Sequence, residues 1–194
     1  ILILIKKHRM LRISALLGSS FIIFLISINF SSIRERVFDL TIDEMNLLGD
    51  KIIIFSPTHQ SHYTSAYKMF INNPVFGIGP KMFRESCNMP KYYVEHGCST
   101  HPHNTYIQLL AETGIIGTIP IIIIFLTLSY ILINEVIFVN LYNKSKNNRL
   151  IYFLIAIFIS LFPFMPTGNF FNNWLSIIYY LPLGFIMHFT KYLK

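Results

Sequence analysis

The run IIGTIPIIIIFLTLSYILI, residues 115–133, constrains this chain more than any other stretch. As a helix rising 1.5 Å per residue it reaches about 28 Å, close to the ~30 Å hydrocarbon thickness of a bilayer. It carries no charge, and only Gly117 and Pro120 interrupt its apolar character. Segments 13–30, 150–164 (with Pro163) and 174–189 (with Pro182) are similar, the first reaching about 27 Å and the other two shorter. Pro and Gly are tolerated in membrane helices whose neighbours re-satisfy the freed backbone groups, and short spans are accommodated by tilt or bilayer thinning. Over 194 residues, 53% are hydrophobic and 13% charged, about half the usual charged share, and mean hydropathy is +0.52. The predicted fold class is therefore all-α, a polytopic membrane protein with about four transmembrane helices. For the two short segments, buried helices of a soluble protein are the alternative.

Charge orders the loops. Residues 31–114 hold seven Lys/Arg and eight Asp/Glu, whereas the rest of the chain holds nine Lys/Arg and a single acid, Glu135. With four spans, the basic flanks KKHRMLR, NKSKNNR and KYLK share one side, which the positive-inside rule makes cytoplasmic. The net charge of +7 is explained by these flanks, and no feature points to nucleic acid. The 31–114 loop then faces outward. Trp174, Tyr179, Tyr180 and Tyr192 suit interfacial anchoring around the last span. The chain opens ILILIKKHR, with its apolar residues ahead of the basic cluster, the reverse of a signal peptide. That opening reads as a cut through a longer protein.

A loop this long is functional or disordered, and its aromatic content favours order. YTSAYKMFI (63–71) predicts a short helix, NPVFGIGPKMF (73–83) a Gly/Pro turn bringing backbone close to another element, and CNMPKYYVEHGCS an irregular stretch. Cys87 and Cys98 fall in the loop, and an outward-facing loop permits a disulfide between them.

The polar residues gather at HPHNTYIQLLAETG, directly ahead of the apolar run. Pro102 suits the first position of a helix capped near Thr100 or His101 and running through Glu112. On that helix Asn104, Gln108 and Glu112 share a face, with His103 on the adjacent one. Polar groups at a membrane boundary are costly unless wet or used. Histidine, with an ordinary pKa of about 6.5, supplies a neutral imidazole for proton transfer near pH 7. Capping and solvation of a membrane helix is the other reading. A metal site is a third, since His59, His62, His96, His101 and His103 share the loop, although no pair has a strong metal-ligand spacing. Arg34, Arg36, Lys68, Lys81 and Arg84 are the candidate phosphate-binding cations, with lipid-headgroup anchoring an equal reading for the two loop-opening arginines. GIGP lacks the third glycine of a nucleotide fingerprint.

NNPVFGIGPKMFR followed by HPHNTYIQLLAETGIIG resembles the bacterial O-antigen ligase and O-antigen polymerase superfamily. The carrying string is His101, His103, Asn104, Tyr106, Gln108, Leu110, Glu112, Gly114 and Gly117. The resemblance extends over nearly the whole chain and implies the C-terminal part of a longer member, in the bacterial inner membrane, with a large periplasmic loop and a GT-C-like fold. It implies transfer of a glycan from undecaprenyl diphosphate to lipid A-core, or to another lipid-linked repeat in the polymerases, with no cofactor and no metal. It carries the general base to His103 and substrate binding to periplasmic cations and to His101, Asn104, Gln108 and Glu112. Many members place an arginine on the helix before the Asn-Pro-x-x-Gly turn, where this chain has His62 and Lys68. A non-enzymatic transporter or scaffold is the reading outside the transferases.

Overall fold

The computed structural model describes residues 8–40, 42, 55–142 and 148–191, all of whose regular elements are helical. The basic flanks fall partly outside these residues, as do Tyr192 and most of 41–54. Two units are distinguished, residues 1–57 and 58–194.

The first unit contains α1 (Arg9–Asn29), the single turn α2 (Ser31–Arg34) and a π-helical turn over Glu35–Asp39. Residues along α1 such as Phe21, Ile22, Ile23 and Phe24 are exposed, which suits a lipid-facing helix. Arg34 and Arg36 sit on the helical turns that follow, both exposed.

In the second unit come α3 (Pro57–Asn72), the turn α4 (Phe83–Ser86), α5 (Thr105–Tyr142), α6 (Asn148–Ser160) and α7 (Asn173–Lys191). Helix α3 begins earlier than the 63–71 reading predicted. Pro57 starts it, its missing N–H falling where a helix has no partner to offer, and Pro74 follows its end. Helices α6 and α7 pack side by side, with Phe153 stacked on Phe185 at 4.7 Å, and Phe125 of α5 stacks on Phe158 of α6 at 5.5 Å.

Two helices among the described residues are long and apolar enough to cross a membrane, Arg9–Asn29 and the Thr105–Ile137 part of α5. They contain the 115–133 segment and all of 13–30 but Phe30, and are consistent with a membrane-associated protein. About four were expected, and these are the two that qualify by length and composition among the described residues. Helix α6 stops at Ser160, ahead of Pro163, too short by length alone. Helix α7, interrupted by Pro182, does not qualify either.

One device builds the outer part of this unit. Helix α5 is broken at Gly114, whose φ of 63° and ψ of −162° are open essentially to glycine alone. The 73–79 turn docks along the break. Ile78 N and Gly79 N donate to the carbonyls of Ala111 and Glu112 at 3.0 and 2.9 Å, and Ile115 N donates back to Pro74 O at 2.9 Å. A Cβ on Gly114 would strike the Val75 carbonyl, and one on Gly77 would strike the Glu112 backbone. The close approach that GIG predicts is therefore an approach to α5, and it satisfies backbone groups that the break leaves open. Beneath it lies a small core of Ala66, Met69, Phe83, Tyr92 and Ala111. Cys87 and Cys98 are joined in a disulfide, Cα atoms 5.3 Å apart.

Candidate functional site

The polar residues ahead of α5 divide into a buried frame and a histidine cluster. Asn104, not Thr100 or His101, caps the helix, which starts at Thr105 rather than at Pro102. Its Oδ1 accepts from Tyr106 N at 3.0 Å and Ile107 N at 3.1 Å, and its Nδ2 donates to Pro163 O at 2.6 Å. His103, in the left-handed region at φ 60°, cannot continue a helix from Pro102, and asparagine is among the best caps.

Gln108 and Glu112 are fully buried. Glu112 Oε1 accepts from Phe83 N and Oε2 from Gln108 Nε2, both at 2.9 Å. Gln108 Nε2 also donates to Asn169 Oδ1, and its Oε1 accepts from Phe170 N, again at 2.9 Å. The shared face predicted for Asn104, Gln108 and Glu112 thus exists, and it points inward. Each polar side-chain atom on it is hydrogen-bonded, some within α5 and the others tying the α4 turn and the 161–172 loop to it, as buried polar groups require. Tyr106 Oη donates to Leu161 O at 2.7 Å and Thr167 N to His103 O at 3.0 Å, adding to the same seam.

Four imidazoles converge above this frame. The His103 ring centroid lies 4.2 Å from that of His101, 5.5 Å from His59 and 5.6 Å from His62. His59 and His62 come from successive turns of α3, while His101 and His103 come from the strap entering α5. In the sequence the two α3 histidines suggest only metal ligands. Their three-residue spacing, which puts both on one helical face, is the signal that they act as a pair. His96 stays out of the cluster, exposed and 3.8 Å from Glu95. Among the described residues no group of three or more His, Cys, Asp or Glu is arranged to hold a metal.

His101 is buried, Nε2 3.2 Å from Thr167 O and Nδ1 2.9 Å from Thr100 Oγ1. The carbonyl can only accept, so Nε2 carries the proton and Nδ1 takes the threonine hydroxyl. Burial lowers the His101 pKa, partly offset by the Thr167 bond. His103 is half-buried, and its pKa is pushed down to about 4, first by burial and then by His101, His59 and His62. It is therefore a neutral imidazole at pH 7.

The candidate cations are dispersed. Lys68 Nζ donates to Tyr93 O at 2.8 Å, bracing the loop. Lys81 and Arg84 are exposed and, with His101, border one hollow. An apolar hollow of about 310 Å³ opens elsewhere, beside Tyr63, Tyr67 and Phe70 of α3 and Ile107 and Leu110 of α5.

No curated protein and no solved structure matches the chain. A family model described as O-antigen ligase matches residues 1–122, a stretch that takes in both the Gly/Pro turn and the histidine strap, and the chain accordingly belongs to the O-antigen ligase family.

Proposed function

We propose that this chain is a membrane glycosyltransferase of the O-antigen ligase type. It moves a glycan from undecaprenyl diphosphate to lipid A-core at the periplasmic face of the bacterial inner membrane, in a GT-C-like bundle whose 31–114 loop is outside. The disulfide supports an oxidising location for that loop. The observation that carries the reading is His103, neutral at the head of an apolar helix and braced through its backbone carbonyl by Thr167 N.

In this reading an imidazole nitrogen of His103 takes the proton of the acceptor hydroxyl as the oxygen attacks the anomeric carbon. The bond from that carbon to the diphosphate breaks, the leaving group departs with the electron pair, and the configuration inverts. A base with a pKa near 4 is weak, but a diphosphate brings negative charge beside the ring, favours imidazolium and raises the pKa toward the working pH. Charge on the leaving group calls for cations, and the resemblance implies periplasmic arginines for that task. His101, Asn104, Gln108 and Glu112 act by position. Their hydrogen bonds fix the strap and so the place of His103.

The test is complementation of a host lacking its own O-antigen ligase, comparing wild type with His103→Ala at equal membrane abundance. A ladder of capped lipopolysaccharide that the substitution abolishes is the expected result. A ladder undiminished in His103→Ala refutes the base. No ladder from either protein refutes transfer to lipid A-core.

A further inference from the structure

The hollow bordered by Lys81, Arg84, Thr100, His101, Asn169 and Asn172 measures about 400 Å³, within the usual ~300–1,000 Å³ of small-molecule sites. Its wall presents hydrogen-bond donors. Asn169 Oδ1 is already taken by Gln108 Nε2 and Phe171 N at 2.9 Å each, and Asn172 Oδ1 by Trp174 N at 3.0 Å and Leu175 N at 3.4 Å. Neither amide NH₂ donates to a described residue. His101 uses one ring nitrogen on Thr167 O and the other on the Thr100 hydroxyl, so it offers no acceptor. The Lys81 ammonium has no ion-pair partner among the described residues, while Arg84 shares its charge with Glu85 at 3.0 Å. The ligand that matches is rich in acceptors and carries about one negative charge, since the two cations and Glu85 sum to a single positive charge.

We propose that this hollow binds a carboxylate-bearing sugar residue of the glycan, its carboxylate on Lys81 and Arg84 and its ring oxygens on the Asn169 and Asn172 amides. The choice of a glycan rests on the transfer reading above. A diphosphate fits less well because it brings more negative charge than the wall balances. Placement agrees with a sugar close to the reacting one, since His101 stands between this hollow and the His103 ring. Lys81 holds the left-handed region at φ 63°, aimed by the docked Gly/Pro turn before it.

The experiment is calorimetric titration of the full chain in lipid nanodiscs with trigalacturonate, neutral galactotriose and inorganic pyrophosphate. Trigalacturonate is expected to bind, more weakly as salt is raised, and galactotriose to bind at least about tenfold more weakly. Lys81→Asn keeps a residue that tolerates the left-handed region, and Asn172→Asp keeps the helix cap while replacing a donor with an anion. Each is expected to weaken trigalacturonate about tenfold or more, whereas Lys81→Arg retains it. Equal binding of the neutral sugar, unchanged binding in both variants, or pyrophosphate displacing trigalacturonate at lower concentration overturns the proposal. The two readings fail separately. Trigalacturonate bound by a chain that transfers nothing refutes transfer alone, and a transferring chain that ignores trigalacturonate refutes the hollow alone.

Discussion

Glu112→Gln changes one atom and almost no volume, yet the hydrogen-bond polarity around it predicts a large cost. Both carboxylate oxygens accept, one from Phe83 N and one from Gln108 Nε2. Gln108 cannot turn its amide over to help, because its Oε1 is held by Phe170 N, a fixed donor. A glutamine at 112 therefore sets NH₂ against either Phe83 N or Gln108 Nε2. A hydrogen bond to a charged group is lost, worth about 1.5–3 kcal/mol, and a buried donor is left unpaired at about 1–3 kcal/mol more. The expected destabilisation is roughly 3–5 kcal/mol, which for a chain of this size lowers Tm by on the order of 10 °C. Adding Gln108→Glu reverses the polarity of the pair. The new amide at position 112 then donates to the new carboxylate at position 108, which still accepts from Phe170 N, at the cost of setting that carboxylate against Asn169 Oδ1, itself held by Phe171 N. Fluorescence-detected melting of the detergent-solubilised chain is the assay. The double variant is expected to melt above Glu112→Gln, a positive coupling between the two sites. A single variant melting within about 2 °C of wild type, or a double variant no better than the single, would show that this network does not hold the seam.

Gly114→Ala is expected to lower Tm as well. Its backbone region costs a non-glycine residue about 1–3 kcal/mol before the Val75 carbonyl is counted, and wild-type melting would refute the docked-turn account. His103 sets a pH dependence. Its folded pKa of about 4 lies below the unfolded ~6.5, so the unfolded chain binds more protons between those values and stability falls as pH drops through that window. The acidic limb of kcat/KM is expected nearer 4 than 6.5, and a wild-type limb at about 6.5 would contradict the cluster's effect on the ring.

Much of this architecture is legible in the sequence because it rests on local rules. The apolar runs at 13–30 and 115–133, the glycines at 77 and 114 and the proline-terminated α3 all announce themselves by composition or backbone freedom. Residues such as Gln108 and Glu112 do not, because a polar stripe beside an apolar run reads the same whether it faces water, substrate or a buried loop. What decided the matter lies some sixty positions further on, in the carbonyl of Thr167, the amide of Asn169 and the N–H of Phe170. None of these has a side-chain signature that pairs it with residues 101–112.

The histidines carry the same lesson one step further. Five histidines share the loop, and the fold brings four of their rings to within 4.2–6.3 Å of one another in pairs. Mutual repulsion among protonated rings then becomes a reason for one of them to remain neutral. His59 and His62 also hold Nδ1 atoms that are buried without a partner among the described residues. Such atoms are costly in isolation. The cluster that deprives His103 of its proton is therefore assembled at a cost, in imidazole nitrogens that the fold leaves unpaired among the described residues.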